Sequence, residues 1–300
     1  MISVLIPIYN YNAVTLIAFI LEQLQNTDIQ FEIICINDAS TKFSFENNEL
    51  KKFKNTQLIN LDKNIGRSKI RNLLVEKSAY NWLLFLDADV LPKEPTFIKK
   101  YIECIQKSED KVFVGGIVYS KNKPEKDNML RWVYGKKREE ISVEKRNYKP
   151  YQYVSGANFL INKSIFNHIK FNEKINKYGY EDVLFVEELK IKNFKITQIN
   201  NPVYHLGLET NSIFLAKTKE GIENLLRLNS SQILKGENLK LLRTFKILKT
   251  LKITWFFAEG YNVFHKYFEN NLLGKTPSLF LLDIYKLTYL CFINTKYKSI

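Results

Sequence analysis

Residues Trp82 to Val90 read WLLFLDADV, an apolar run that delivers Asp87 and Asp89, with Ala88 between them, to its carboxyl end. A short run without polar alternation is how a parallel strand buried on both faces looks. Two carboxylates flanking one residue repel each other. A hard divalent cation, completing its shell with water and phosphate oxygens, relieves that repulsion. The pair therefore reads either as a metal and diphosphate site or as a solvated acidic turn, and the rest of the chain has to decide.

Upstream of it lies the same kind of run, Ile2 to Ile8 (ISVLIPI), which Pro7 is expected to end. Leu16, Ile17, Ile20, Leu21 and Leu24 recur at three and four, which predicts an amphipathic helix over 13–24. Further strands are expected at 31–36 and 57–61, and a helix from Gly66 to about Lys77. This alternation predicts an α/β architecture: a Rossmann-like, mostly parallel sheet flanked by helices through right-handed crossovers. Ligands of such sheets lie beyond the carboxyl ends of the strands. There the chain places Tyr9 and Asn10, Asp38, Asn64 to Gly66, and Asp87 to Asp89.

The pattern then loosens. Strands are expected at 112–119 and 153–161, a charged and mobile connection at 121–149, a helix at 182–192, and another strand before His205. From about Ser212 the reading is helical, with Leu241, Phe245, Leu248, Leu251 and Trp255 on one stripe and Arg243 and Lys246 opposite. Residues 1–210 form the expected α/β domain, in two halves over 1–100 and 101–210. Residues 211–300 form a helical, basic extension.

Composition bounds the function. With 300 residues, 45% hydrophobic and 25% charged, the chain builds an ordinary core and is neither disordered, collagenous nor a disulfide-stapled scaffold. Lys and Arg number 45 against 31 Asp and Glu, a net charge of +14 that asks for an anionic partner. Residues 236–300 hold ten cations and four anions. There Lys240, Arg243, Lys246, Lys249 and Lys252 stand beside Phe245, Trp255, Phe256 and Phe257, which suits either an anionic membrane surface or a helix packed on the α/β domain. Nucleic acid is not expected, because an acidic crevice repels phosphates that bring no metal. Cys35, Cys104 and Cys291 are odd in number and far apart, so they read as buried reduced thiols without zinc spacing. With no leader-like start and no long apolar run, the expected location is cytoplasmic, with peripheral attachment to the inner face of the cell membrane.

Five motifs stand in order: Ser3 to Asn10 (SVLIPIYN), Ile36 to Ser40 (INDAS), Asn64 to Gly66 with Arg71 and Asn72, Phe85 to Val90, and Tyr178 to Asp182 (YGYED). This set resembles the family 2 glycosyltransferases of GT-A fold over residues 1 to 210. The resemblance implies an inverting, metal-dependent transfer of a sugar from a nucleoside diphosphate sugar, a uridine one, to a glycan or lipid-linked glycan. It implies that Pro7, Ile8, Tyr9 and Asn10 line the nucleoside, and that Asp38 accepts from the base. By the same resemblance Asn64 and Gly66 approach the nucleoside, Arg71 reaches the base or diphosphate, and Asp87 and Ala88 contact ribose and metal water. Asp89 would ligate Mn²⁺ or Mg²⁺, with His205 a further ligand. Ser155, Gly156, Ala157 and Asn158 would lie beside the sugar, and the pair Glu181 and Asp182 would supply Asp182 as general base. Acids opening a helix are also accounted for by its dipole alone. Two alternatives stay open: a haloacid-dehalogenase-like phosphatase with Asp87 as nucleophile, and a nucleotide-binding scaffold without catalysis.

Overall fold

The computed structural model describes residues 1–175, 177–234, 236 and 239–297. The chain runs β1 (Ile2–Ile8), α1 (Val14–Gln25), β2 (Phe31–Asn37), α2 (Ser44–Asn47), β3 (Thr56–Asn60), α3 (Arg67–Lys77), β4 (Trp82–Leu86), β5 (Val90–Pro92), α4 (Phe97–Lys107), β6 (Val112–Val114) and β7 (Ile117–Val118). Then come α5 (Met129–Tyr134), α6 (Val143–Tyr148), β8 (Asn158–Asn162), α7 (Glu181–Ile191), β9 (Thr197–Gln198), β10 (Val203–His205), α8 (Asn211–Ser230), α9 (Lys240–Thr250), α10 (Thr254–Leu272) and α11 (Leu279–Tyr297). Two units result. One comprises Met1–Tyr119, Glu139–Asn176 and Glu181–Gly207; the other comprises Ser120–Arg138, Lys177–Tyr180 and Leu208–Ile300.

The first unit is an α/β layer structure around a seven-stranded sheet in the order β3-β2-β1-β4-β8-β6-β9. Its apolar strands run parallel except β8, which opposes both β4 and β6. Pro7 does not end β1: the strand continues to Ile8. Even-numbered residues of β1 bond toward β2, while the β4 pairing stops at Leu5, so the missing N–H of Pro7 faces no partner strand. A smaller sheet, β5-β10-β7, sits at the end of β4. It exists because the stretch expected as one strand over 112–119 turns at Gly115 and Gly116, and Gly116 has φ +90°.

Helix α3 lays Ile70, Leu74 and Val75 into a core completed by Phe85, Phe159, Phe166, Phe171 and Phe185. Phe85 stacks on Phe159 at 4.7 Å and Phe171 on Phe185 at 4.2 Å. Full burial of each such ring contributes about 2 to 3 kcal/mol. The expected strand over 153–161 begins only at Asn158, the preceding residues forming a loop.

The stretch 121–149 is no loose connection, since it contains α5 and α6. Arg146, buried on α6, donates to the carbonyls of Ile141 (3.2 Å), Val114 (3.1 Å), Gly115 (3.2 Å) and Ile199 (2.8 Å), and to Gln198 Oε1 (2.5 Å). All five N–H groups of the guanidinium are thus used to tie β6, α6 and the residues after β9.

The second unit is helical. Tyr261 of α10 meets Tyr285, Tyr289 and Phe292 of α11 at 5.7, 5.1 and 4.9 Å, and Glu269 accepts from Lys219 (2.9 Å) and Tyr285 (2.6 Å). The expected stripe over α9 is shifted: Leu242, Phe245 and Leu248 are buried, whereas Leu251 and Trp255 are exposed. The helix breaks at Leu251 to Ile253, with Lys252 at φ +58°, so residues on either side do not share one helical phase. Among the described residues no helix is long and apolar enough to cross a membrane. All three cysteines are free; Cys35 and Cys291 are buried, but Cys104 is only half-buried, a correction to its reading as a buried thiol.

Replacing Arg146 by Met removes all five of these bonds, and although Val114 O and Gly115 O keep Ile199 N (2.9 Å) and Asn201 N (3.2 Å) as donors, it is expected to lower unfolding stability by about 3 kcal/mol. Lys at this position should recover only part of it, with three donors against five. Thermal or denaturant unfolding of the two variants checks this.

Candidate active site

The carboxyl ends of β1 and β2 are locked together. Asp38 N donates to Ile8 O at 2.8 Å, and Asn10, at φ +52°, accepts on Oδ1 from Thr41 N (2.8 Å) and Lys42 N (3.1 Å). The Asp38 carboxylate then reaches to the start of α3: Oδ1 accepts from Ile65 N at 2.7 Å and Oδ2 from Gly66 N at 3.2 Å. Asn64 Nδ2 donates to Asp38 O at 3.3 Å. Burial pushes the Asp38 carboxyl up, and the two backbone donors oppose it. Gly66 has φ +83° with open space where a Cβ would stand, so the backbone conformation alone calls for glycine. Tyr9 and Asn64 are exposed and Pro7 is half-buried, whereas the side chains of Ile8 and Ala88 are buried and leave only their backbone to the site.

Beneath these loops lies Arg71, 2% exposed. Its Nη2 donates to Asp87 Oδ1 at 3.0 Å, and its Nη1 stands 3.6 Å from Glu181 Oε1 and 3.9 Å from Asp182 Oδ1. The guanidinium sits 5.6 Å above the Phe171 ring. A cation so enclosed holds the carboxylates from below rather than facing an open surface. Glu181 also accepts from Arg67 Nη1 at 3.1 Å. Burial alone would raise Glu181, but Arg67 and Arg71 outweigh it and keep its carboxyl below the ordinary glutamate value. Asp182 goes the other way: burial, aided by the Glu181 and Asp87 charges, lifts it above the usual aspartate value against the pull of Arg71.

Asp182 Oδ2 accepts from Gly156 N at 3.0 Å, while its Oδ1 is buried without a hydrogen-bond partner. A Cβ on Gly156 would lie 2.6 Å from that Oδ1, so the loop expected beside the sugar must present glycine there. Ser155 Oγ accepts from Ala157 N at 3.2 Å, and Ala157 O accepts from Asp87 N at 3.3 Å. Asn158 is committed beneath them: its Nδ2 donates to Gly116 O and Asn201 O, both at 2.9 Å, and its Oδ1 accepts from Tyr101 at 2.7 Å.

The small sheet brings in the last residues. His205 pairs in register with Val90, and Leu206 N donates to Asp89 O at 2.8 Å, which sets His205 Nε2 3.6 Å from Asp89 Oδ2. Tyr119 stacks on the His205 ring at 5.5 Å, and its hydroxyl donates to Glu139. A Cβ on Gly207 would run into the Asp89 carboxylate, so this glycine permits close approach. Burial raises the Asp89 carboxyl, His205 opposes this and Asp87 adds to it. The Asp89 charge in turn adds to the burial that raises Tyr11.

No group of three or more His, Cys, Asp or Glu among the described residues could cage an ion. Asp89 and His205 nevertheless offer two donors, with Asp87 alongside. That set fits a Mg²⁺ or Mn²⁺ ion, which takes one or two protein ligands and fills its shell with phosphate oxygens and water.

Of the strand-end residues expected from the sequence, Asp38 joins Asn64 and Gly66, Asp87 meets Glu181 and Asp182 through Arg71, and Asp89 meets His205. Sequence reasoning missed Arg67, although a cation directly after Gly66 was its signal. It also missed Gly207 as a contact of Asp89. With Asp87 ion-paired to Arg71, the nucleophile demanded by a dehalogenase-like phosphatase is held in a salt bridge.

The chain is 29% identical over 208 residues to a teichoic acid poly(glycerol phosphate) polymerase of Staphylococcus epidermidis, covering 66% of this chain and 27% of that protein. It thus spans about a quarter of that relative's length. Among solved structures, a mannosyltransferase from Pyrobaculum calidifontis in complex with GDP-Man and Mn²⁺ superposes with a TM-score of 0.57 at 11% identity, over 98% of this chain and 86% of that one. S. aureus TarS does so with a TM-score of 0.51 at 18% identity, over 96% and 54%. The family model for glycosyl transferase family 2 matches residues 3–170, more than half of the chain, and the chain belongs to that family.

Proposed function

We propose that this chain is an inverting, metal-dependent glycosyltransferase that moves a sugar from a nucleoside diphosphate sugar, a uridine one, to a glycan or lipid-linked glycan. The observation that carries this reading is the Asp182 carboxylate, fixed by Gly156 N at 3.0 Å and by Arg71 at 3.9 Å while its side chain stays 28% exposed. An acceptor hydroxyl there forms its bond to the anomeric carbon as the carbon–oxygen bond to the diphosphate breaks. The electron pair leaves with the diphosphate, and the hydroxyl proton passes to the Asp182 carboxylate. Its raised pKa makes the carboxylate a stronger base than a solvated aspartate.

Asp89 and His205 would hold a divalent ion, Mn²⁺ or Mg²⁺, whose charge offsets that of the departing diphosphate. Pro7 to Asn10, Asp38 and the Asn64 to Gly66 loop take the nucleoside, and Ser155 to Ala157 the sugar, with Asn158 bracing them. Arg71 is a positioning residue that sets the Asp87 and Asp182 carboxylates rather than a nucleotide contact. Similarity to a teichoic acid polymerase supports an acceptor belonging to an envelope polymer, reached at the inner face of the cell membrane through the basic helical extension.

A panel of nucleotide sugars with and without Mn²⁺ tests the proposal, and absence of transfer under every combination would sink it. Asp182→Asn should lower kcat about 10³-fold with donor affinity little changed. Chelation should abolish transfer, Mn²⁺ or Mg²⁺ should restore it, and Asp89→Asn should raise the metal concentration needed on the order of tenfold. Activity should rise with pH as Asp182 loses its proton. Because Arg71 lowers that pKa, Arg71→Met should move this limb to higher pH and Arg71→Lys should bring it back, as a pH profile of kcat will show.

A further inference from the structure

We propose that the outer face of α10, together with the elbow joining it to α9, lies in the headgroup region of an anionic lipid bilayer. This rests on the membrane reading above and replaces the stripe expected from the sequence with a different face. Helix α10 buries Ala258, Tyr261, Phe268 and Leu272 along one side. On the opposite side Phe256, Val263, Phe264 and Tyr267 are 64%, 69%, 52% and 64% exposed. They fall at i, i+7, i+8 and i+11, so they form one continuous face rather than scattered surface residues. Leu251 and Trp255, 60% and 62% exposed, extend it across the elbow.

The charge around this face selects the occupant. Between residues 240 and 258 stand five cations and no anion. Burying Leu242, Phe245 and Leu248 turns Lys246 and Lys249 of α9 outward, and Lys252 is exposed at the elbow. Glu259 is an exposed carboxylate on α10 and is engaged by Asn262 at 3.3 Å; Glu269 is taken by Lys219 and Tyr285. A second copy docking here would set the same lysines against each other, whereas phosphate headgroups neutralise them. Aromatic rings beside lysines, on a helix with an opposite buried face, match the interface between headgroups and acyl chains.

Flotation of the full chain with vesicles of phosphatidylcholine alone, or mixed with phosphatidylglycerol, is the test. Binding is expected only with phosphatidylglycerol and should weaken with salt. Trp255→Ser with Phe256→Ser should reduce it about tenfold, and so should Lys249→Ser with Lys252→Ser, with unchanged thermal midpoints. Quenching of fluorescence by brominated lipid should disappear in Trp255→Phe. Equal binding of the parent and both double variants, equal binding to neutral vesicles, or a dimer in sedimentation that Trp255→Ser with Phe256→Ser dissolves would each overturn the proposal. Donor binding measured without vesicles reports on the transferase reading separately, so failure of one leaves the other standing.

Discussion

Three carboxylates at neighbouring chain ends, Asp87, Glu181 and Asp182, cannot share one site without a cation among them, and Arg71 is that cation, while Asp89 beside them faces His205. The ion pairs of Arg71 to Asp87, Glu181 and Asp182 lie within 4 Å and are closed off below by the Phe171 ring. Removing one partner of such a buried group costs more than the pairing itself contributes, because the remaining charges stay where water cannot reach. The order of the sheet reflects this need. β1 and β4 lie side by side, β8 runs against β4, and α3 and α7 lay their first turns toward the common end, so residues far apart in the chain meet at one guanidinium.

Much of this arrangement was legible. Strands buried on both faces must be apolar throughout, so β1, β2 and β4 announce themselves, and the residues immediately after each strand stand at the ligand end by topology. The acidic pair of Asp87 and Asp89 was readable for the same reason. The depth of Arg71 was not read, although α3 contains the clue: at 100° per residue, Arg71 lies between Leu74 and Val75 on the buried side. The stretch containing Arg146 was misjudged because its many lysines mask one arginine whose partners are carbonyls, and carbonyls leave no trace in composition. On α9, either Leu241 or Leu242 could open the stripe, and only the break at Leu251 to Ile253 decides for Leu242.

The family match ends at residue 170, before Glu181, Asp182 and His205. The resemblance of the Tyr178 to Asp182 motif extends beyond that span, and α7 and β10 bring those residues to the same end of the sheet.

Glycine stands against each pole of the proposed reaction: Gly156 against Asp182, Gly207 against Asp89. A single added methyl group at either place has nowhere to go except into a carboxylate. Each carboxylate therefore holds its place only while the residue against it carries no side chain, and one carbon atom suffices to displace either of them separately.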